Sequence, residues 1–171
     1  MDVQNLLSHF TEVPIQKGDF LVREGQVCKH IYFVKKGMVK ICSCNEDREF
    51  ILRFFPEEHF VTALESFNDQ TPSHFQIKAL EDGIILKLHR DKMEKLCKDH
   101  HEIETFFRKW LLQIAAYMVS RLSTILKDDA GTRYKMFLET NADLMQRISL
   151  GDLANYLGIT QASLSKIRAK K

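Results

Sequence analysis

The segment 101–126 most constrains the fold, because it contains neither glycine nor proline and repeats apolar residues in a helical pattern. Steps of four and three residues place one stripe along a helix: Leu111, Ala115, Met118, Leu122 and Ile125. A second stripe contains Ile103, Phe107, Trp110, Ile114 and Tyr117. We therefore predict a single helix over residues 101–127, about 40 Å long.

Two apolar stripes on one helix imply two packing partners. One stripe is sufficient to pack the helix on its own domain. The other, which begins at Leu111, fits the same helix of a second chain in a parallel, coiled-coil-like seam. The alternative is a helix buried within one large monomeric core. Since the flanking regions are small, we favour a homodimer.

Residues 11–88 show a different pattern, in which short apolar or alternating runs are separated by turn residues. A short helical turn is expected before them, at Leu6 to Phe10. The runs predict strands of a barrel or a double-sheet jelly roll: DFLVREGQ, HIYFVKKGMVKIC, EFILRFFPEEHF and HFQIKALEDGIILKL. We assign residues 1–100 to this β-rich domain and predict an α+β fold for the chain.

Residues 128–171 differ from the rest of the chain in net charge and in the spacing of their apolar residues. Residues 1–127 hold 18 basic and 18 acidic side chains, whereas residues 128–171 hold 7 and 5. The final eight, LSKIRAKK, contribute four basic residues and no acidic one. Positive potential is therefore concentrated where an anionic polymer would bind. Between the two regions, the segment DDAG at 128–131 is expected to break or bend the helix and to act as a hinge.

Within the third domain, residues 128–171, the stretch ISLGDLANYLGITQASLSKIRAKK has the apolar spacing of two short helices joined by a tight turn. Ser149 can cap the first helix, Gly158 can end it, and Thr160 can cap the second. This is a helix-turn-helix pattern, whose second helix fits the major groove of DNA. A helical hairpin that only closes the domain is the alternative.

The second helix would present polar and basic side chains to DNA. Gln161 suits adenine, Ser163 can bond to several bases, and Lys166 can reach guanine or a phosphate. Thr160 and the backbone amides at the helix start can hold a phosphate. We therefore predict double-stranded DNA as a partner, with these contact residues: Thr160, Gln161, Ser163, Lys166, Arg168 and Lys170.

Several other classes of protein are not expected. The four cysteines are scattered and form no CxxC pair, so reduced thiols are favoured over disulfides or an iron–sulfur sensor. The acidic start MDVQNLLSHFTEV does not fit a signal peptide, and no apolar run has the length of a membrane span, so a cytoplasmic location is expected. Common catalytic motifs are missing, so no enzyme, cofactor or metal is predicted. His100, His101 and Glu104 are interpreted as the polar face of a helix.

Taken together, REGQ followed by IYFVKKGMVKI, a long helix and a terminal helix-turn-helix resemble the cyclic-AMP receptor protein/FNR (CRP/FNR) family of bacterial transcription regulators. The resemblance covers nearly the whole chain. It implies a jelly roll of the cyclic-nucleotide-binding type, a parallel homodimer through the long helix, and a C-terminal DNA-binding domain. Gly25 and Gly37 match the family's turn glycines, and Tyr32 and Val34 match its core strand. The stretches RY-x2-FL and YLGIT-x2-SLS-x-IR resemble a Bacteroidetes branch.

The sequence departs from the family at the segment 60–79, FVTALESFNDQTPSHFQIKA. In nucleotide-binding members, Gly-Glu begins a short helix there and Arg-Ser or Arg-Thr follows, so that the arginine neutralises the cyclic phosphate and the glutamate binds the ribose. This chain has Thr62-Ala63 and Ser73-His74 instead. Loss of the arginine removes binding free energy on the order of a few kcal/mol, enough to lower affinity about 100-fold or more, so we expect cyclic AMP and cyclic GMP not to bind at physiological concentration.

Two alternatives remain for this pocket, which comprises Thr62, Ala63, Leu64, Ser73 and His74. It holds a different, unidentified small-molecule effector, or it stays empty and serves as structure. If His74 replaced the missing arginine in part, binding would depend on pH near neutrality. More often, a histidine in such a place is a solvated loop residue.

The resemblance implies a homodimeric transcription regulator in which an effector shifts the long helix and the hinge, and so sets the spacing of two DNA-reading helices. RNA polymerase is a further partner that it allows. The family's DNA-binding domain carries a β-hairpin wing after the second helix, whereas this sequence ends at Lys171; whether the wing is naturally missing stays open. The alternative function is a signalling or interaction module that does not bind DNA.

Overall fold

The computed structural model describes residues 3–45 and 48–169. The strands within these ranges are β1 Thr11–Ile15, β2 Phe20–Val22, β3 His30–Lys36, β4 Val39–Asn45, β5 Arg48–Phe55, β6 Phe60–Val61, β7 Gln76–Ala79 and β8 Gly83–His89. The helices are α1 Val3–Leu7, α2 Leu64–Asp69, α3 Arg90–Asp99, α4 His101–Lys127, α5 Ala130–Thr140, α6 Leu150–Leu157 and α7 Gln161–Ala169, with a 3-10 helix at Ala142–Gln146. No helix in these ranges combines the length and apolar character needed to cross a membrane.

The strands form two antiparallel four-stranded sheets, in the orders β1-β8-β3-β6 and β2-β7-β4-β5. This sandwich, followed by helices, confirms the predicted α+β fold with an N-terminal jelly roll. The turn between β3 and β4 requires glycine, since Gly37 has a φ of +91°. A Cβ atom on Gly83 would lie only 2.1 Å from the carbonyl oxygen of Lys36, so the chain can pass there only without a side chain.

The core of the sandwich lies between the two sheets and extends under the first half of α4. Its fully buried members include Leu6, Ile31, Val34, Ile77, Ile85 and Leu88. The first three residues of the predicted second stripe of the long helix join this core, because Ile103 and Phe107 are buried and Trp110 packs against it. The ring of Phe60 lies 5.4 Å from that of Phe106 and 6.1 Å from that of Trp110. One apolar stripe of α4 therefore packs on its own jelly roll.

Two predictions from the sequence concern the residues at which helices begin and end. The long helix runs from His101 to Lys127 and stops at Asp128, as the sequence indicated, and Asp129 caps α5 by accepting a hydrogen bond from the Thr132 amide at 2.7 Å. The helical turn expected at Leu6 to Phe10 is present, with the His9 amide donating to the Leu6 carbonyl oxygen at 3.1 Å and the Phe10 amide to that of Leu7 at 3.0 Å, but the helix before it begins earlier than predicted. Helix α1 lies at Val3–Leu7, where Leu6 is fully buried in the sandwich core.

A second apolar cluster joins the C-terminal helices to the outer face of β4 and β5, an arrangement that was not predicted from the sequence. The jelly roll contributes Met38, Cys42, Ile51 and Phe54. The helices contribute Tyr134, Phe137, Leu144, Leu153, Ala154, Leu157 and Leu164. The ring of Phe54 lies 5.5 Å from that of Tyr156. Both faces of β5 are therefore covered, one by the sandwich core and the other by helices of the same chain.

Candidate nucleic-acid interface and ligand sites

Helices α6 and α7 have the capping residues that were predicted from the sequence. The Ser149 hydroxyl accepts a hydrogen bond from the Asp152 amide at 3.0 Å, and Gly158 ends α6 with a φ of +72°. The Thr160 hydroxyl accepts a hydrogen bond from the Ser163 amide at 3.1 Å and so caps α7. Leu164, which is 1% exposed, anchors α7 in the second apolar cluster. The other side of α7 is thereby left to solvent.

The predicted DNA contacts lie on this solvent side wherever the structure describes them. Exposed side chains are those of Thr160, Gln161, Ser163, Lys166 and Arg168; Lys170 lies outside the described residues. Neither Lys166 nor Arg168 pairs with a carboxylate in the described part of the chain. The Gln161 amide leans over the start of α6, since a Cβ atom on Gly151 would lie 2.8 Å from its Nε2 atom. The Thr160 hydroxyl donates a hydrogen bond to that of Ser163 at 3.0 Å.

Most residues of the predicted effector pocket are buried or half-buried, in contrast to the exposed DNA contacts. The Thr62 hydroxyl donates to the His30 carbonyl oxygen at 2.9 Å, and the Ser73 hydroxyl donates to the Phe75 carbonyl oxygen at 2.7 Å. Thr62, Ala63 and Ser73 are buried, Leu64 is half-buried and His74 is exposed. None of the five is among the residues that line the two large cavities described below. Both buried hydroxyls are therefore bound to the chain itself.

Polar groups of the segment between Thr62 and Ser73 are hydrogen-bonded to other groups of the chain. The Ser66 hydroxyl accepts from the Cys28 amide at 2.8 Å and donates to the Thr71 carbonyl oxygen at 2.6 Å. Gln70 ends α2 in a left-handed conformation with a φ of +54°, and its amide donates to the Phe67 carbonyl oxygen at 2.8 Å. A ligand bound here would have to compete with these internal partners, because buried polar groups are costly to leave unpaired.

Two large cavities lie away from the predicted effector pocket, and each is formed by residues that are far apart in the sequence. The first, about 720 Å³, lies between α1, the turn before β6, and α4, with Phe60, Trp110 and Lys109 in its wall. The second, about 600 Å³, lies where β5 and α4 meet α5, the 3-10 helix and α6. Its wall contains four arginines, namely Arg53, Arg121, Arg133 and Arg147. No local motif marks either cavity, so the sequence could not have predicted them.

Two groups of ion pairs join the C-terminal helices to the jelly roll. The Arg147 guanidinium donates to both oxygens of Glu57, at 2.9 Å each, and to both oxygens of Glu81, at 2.9 and 2.7 Å. The hydrogen bonds from Arg147 lower the pKa of Glu57 to about 2. Lys40 Nζ lies 2.6 Å from Glu49 Oε2 and 2.7 Å from Asp152 Oδ1. Burial opposes the charge on Lys40, but the hydrogen bonds to Asp152 and Glu49 outweigh it and raise the pKa of Lys40.

The first stripe of α4 is exposed along its length in the single chain. Leu111, Met118, Leu122 and Ile125 are between 43% and 58% exposed, and Ala115 is also exposed. A second line beside it was missed from the sequence, although its members recur every seven residues: Leu112, Val119 and Leu126, which are 61%, 70% and 76% exposed. The apolar face of α4 that turns away from the jelly roll is therefore wider than the predicted seam.

Metal-binding side chains do not converge in the described part of the chain, where no group of three or more His, Cys, Asp or Glu residues could hold an ion. The four cysteines are free. His101 Nδ1 lies 4.0 Å from Glu104 Oε2 on the first turn of α4, and the His101 side chain is 90% exposed. These two residues form a solvated pair at the surface.

Comparison with known proteins identifies the family of the jelly roll and proteins of similar fold. Residues 12–100 match the family model of the cyclic nucleotide-binding domain. The anaerobic regulatory protein of Bacillus subtilis (strain 168) is 25% identical over 171 residues, which cover 98% of this chain and 71% of that protein. FixK2 from Bradyrhizobium japonicum has a similar fold, with a TM-score of 0.80 at 16% identity over 94% of this chain and 83% of its own. A regulator from Eubacterium rectale assigned to the CRP/FNR family has a TM-score of 0.76 at 16% identity, over 98% and 81%.

Proposed function

The chain belongs to the cyclic nucleotide-binding domain family, and from this membership we propose that it is a homodimeric, DNA-binding transcription regulator of the CRP/FNR type. The observation that carries the proposal is the exposed side of α7, where Gln161, Ser163, Lys166 and Arg168 lie on a helix that is capped by Thr160 and anchored by Leu164. A short, rigidly seated helix with polar residues at its start and cations at its end fits the major groove.

The roles proposed for these side chains follow from their chemistry. Gln161 reads adenine through its amide, and Ser163 bonds to a base edge once its hydroxyl leaves that of Thr160. Lys166 and Arg168, in the last turn of α7, contact phosphates. A good base contact contributes about 1–3 kcal/mol of discrimination, whereas the phosphate contacts supply affinity without sequence preference.

The dimer is proposed from α4, whose apolar face has no partner within the described chain. In a parallel pair of α4 helices, the seam containing Leu122 would be buried between the two chains. The two copies of α7 would then read half-sites about one DNA turn apart. The predicted hinge at 128–131 covers the junction of α4 and α5 and the first two residues of α5, and it is the place where this spacing can change.

A signalling or interaction module that does not bind DNA is the second candidate. The observation that favours it is the close attachment of α6 to the jelly roll, where Asp152 binds the buried Lys40 and Asn155 Nδ2 lies 3.4 Å from Glu49 Oε2. A C-terminal unit fixed in this way could serve to complete a protein-binding surface. The two candidates differ in their response to salt.

DNA retention tests the proposed function. We expect the protein to bind a pool of random-sequence duplexes with an affinity that falls steeply as salt rises, because bound cations release counterions from DNA. Replacing Lys166 and Arg168 together by alanine should lower the log–log salt slope by about 2, roughly one for each lost phosphate contact. Lys135→Ala, an exposed lysine on α5, is the matched control and should leave the slope unchanged. Retention that does not depend on salt would favour the interaction module.

Cyclic nucleotides test the effector prediction separately. Titration calorimetry with cyclic AMP and with cyclic GMP should show no binding in the micromolar range, since Thr62-Ala63 and Ser73-His74 lack the usual charged ligands and the hydroxyls of Thr62 and Ser73 are bonded to backbone. Micromolar affinity for either nucleotide would contradict this expectation, whatever the outcome of the DNA experiment.

A further inference from the structure

The cavity at the junction of the jelly roll and the C-terminal helices has the size and position of a ligand site. Its volume of about 600 Å³ lies within the range of about 300–1,000 Å³ that is usual for small-molecule pockets. Residues of β5, α4 and α5 all contribute to its wall, through Arg53, Arg121 and Arg133 respectively. Any molecule bound there would contact both the jelly roll and the helices that dock on it.

The wall carries an excess of positive charge. Of its four arginines, Arg147 is bound by Glu57 and Glu81. Arg53, Arg121 and Arg133 form no ion pair with a carboxylate in the part of the chain that the structure describes. Apart from Glu57, the carboxylate in the wall is that of Asp143. Three guanidinium groups therefore face one cavity with a single carboxylate to offset them.

Two of these guanidinium groups are held in position by aromatic rings. Arg53 lies 4.3 Å above the centre of the Tyr117 ring, and Arg121 lies 3.9 Å above that of Tyr156. Arg121 also donates to the Tyr156 carbonyl oxygen. Stacking on an aromatic face orients a guanidinium but leaves N–H groups at its edge available to an acceptor.

Arg133, the third of these arginines, is held by backbone carbonyl groups. Its two terminal nitrogens donate to the carbonyl oxygens of Asp128 at 2.6 Å and Leu157 at 3.0 Å. Its Nε atom is buried and has no hydrogen-bond partner among the described residues. Each terminal nitrogen of a guanidinium carries two N–H groups, so Arg133 keeps donors beyond the two that bind Asp128 and Leu157, and these can bind an acceptor in the cavity.

We propose that this junction cavity binds a small polyanion of the phosphate-ester class. Planar guanidinium groups bind phosphate oxygens through paired, charge-assisted hydrogen bonds, and three of them from three different elements can surround one phosphate or diphosphate group. The bound anion links β5 to α4 and α5, and therefore stabilises the docked position of the C-terminal helices. The site is distinct from the pocket of Thr62 and Ser73, and binding to it does not depend on whether the protein binds DNA.

Inorganic pyrophosphate is the probe, titrated by calorimetry and by thermal unfolding at constant ionic strength, with sodium chloride as the ionic control. We expect saturable binding and a higher Tm with pyrophosphate only. Arg53→Gln should weaken binding about tenfold or more, because it removes a charge-assisted contact. Arg48→Gln is the matched control, since Arg48 lies exposed on the same strand, stacked 4.9 Å from the Phe50 ring, and does not line the cavity.

A second variant keeps the test decisive if Arg53→Gln fails to fold. Ser120 is an exposed residue of the cavity wall on α4, so Ser120→Glu should place a negative charge at the cavity and weaken pyrophosphate binding without loss of a core contact. The proposal is overturned if wild-type protein shows no saturable binding, or if Arg48→Gln weakens it as much as the cavity variants do, because the anion would then be held by surface charge in general.

Discussion

Replacing Leu122 by glutamate is expected to yield a monomer with the mass of one 20.0 kDa chain, whereas the wild-type protein should have twice that mass. Leu122 is 58% exposed in the single chain and belongs to the apolar face of α4, with exposed apolar residues on both sides of it along the helix. The glutamate would place a charge from each chain within the interface. Both charges would be removed from water without a partner, which costs several kcal/mol for each ion.

The size of the effect follows from the number of side chains that the dimer buries. Seven large apolar residues of α4 are exposed in the described chain: Leu111, Leu112, Met118, Val119, Leu122, Ile125 and Leu126. Full burial of one such side chain contributes about 1.5–3 kcal/mol. Because they line one face over four helical turns, a second copy of the same face can cover them all. One buried charge within this face therefore weakens an association to which all of these side chains contribute.

Sedimentation equilibrium at several protein concentrations measures this outcome. Gln113→Glu is the matched control, because it changes charge by the same amount at an exposed position on the opposite side of the same helix. It should leave the mass of the wild-type assembly unchanged. A wild-type protein that sediments as a monomer, or a Leu122→Glu variant that remains dimeric, would contradict the proposed seam.

Local patterns in the sequence were enough to predict the elements that follow from local physics. The long helix was predicted from the spacing between Ile103 and Ile125, and it ends where the acidic pair at 128–129 begins. Ser149 and Gly158 were predicted as caps, because a hydroxyl at a helix start and a glycine at a helix end act on their own neighbours. In each case the deciding contacts lie within a few residues of one another.

The docking of the C-terminal helices depends on contacts that no local pattern encodes. Lys40 and Asp152 are 112 residues apart, and Arg147 is 90 residues from Glu57. One signal was present in strand β5, where Ile51 and Phe54 face the C-terminal helices while Phe55 belongs to the sandwich core. A strand with apolar residues on both faces requires a cover on each side, and here the second cover is the chain's own C-terminal region.

The effector pocket shows a different limit of sequence reasoning. The missing charged ligands at Ala63 and Ser73 could be recognised from the resemblance alone. How the segment uses its remaining polar groups could not, because Ser66 and Gln70 bond to Cys28, which lies 38 and 42 residues earlier in the chain. These bonds explain in physical terms why a polar segment can be buried without a ligand.

The second large effect is expected at the buried ion cluster of Lys40, whose side chain is 6% exposed. Lys40→Met should lower the free energy of unfolding by about 3–5 kcal/mol, the usual cost of breaking a buried ion pair by removing one partner. Glu49 and Asp152 would then lie close together without a cation, and both are largely buried, with side chains 21% and 16% exposed. Urea denaturation at neutral pH measures the loss.

The pH dependence of this stabilisation identifies its source. Burial opposes ionisation of Asp152, but the hydrogen bonds from Lys40 and Ser149 outweigh it, so the pKa of Asp152 lies below its ordinary value of 3.8. A carboxylate with a lowered pKa stabilises the fold above its ordinary pKa and loses that contribution as the pH falls through the lowered value. The difference between wild type and Lys40→Met should therefore be present at pH 7 and shrink under acidic conditions.

A triple variant separates the ion cluster from simple loss of packing. Lys40→Met combined with Glu49→Gln and Asp152→Asn removes all three charges together, and should recover most of the stability that the single change loses, since no buried charge is left unpaired. Because Lys40 and Glu49 belong to the jelly roll and Asp152 to α6, hydrogen exchange should show the amides of α6 losing protection first in the single variant. Equal loss of protection across the jelly roll and α6 would show that the cluster stabilises the fold as a whole and does not specifically hold the C-terminal helices in place.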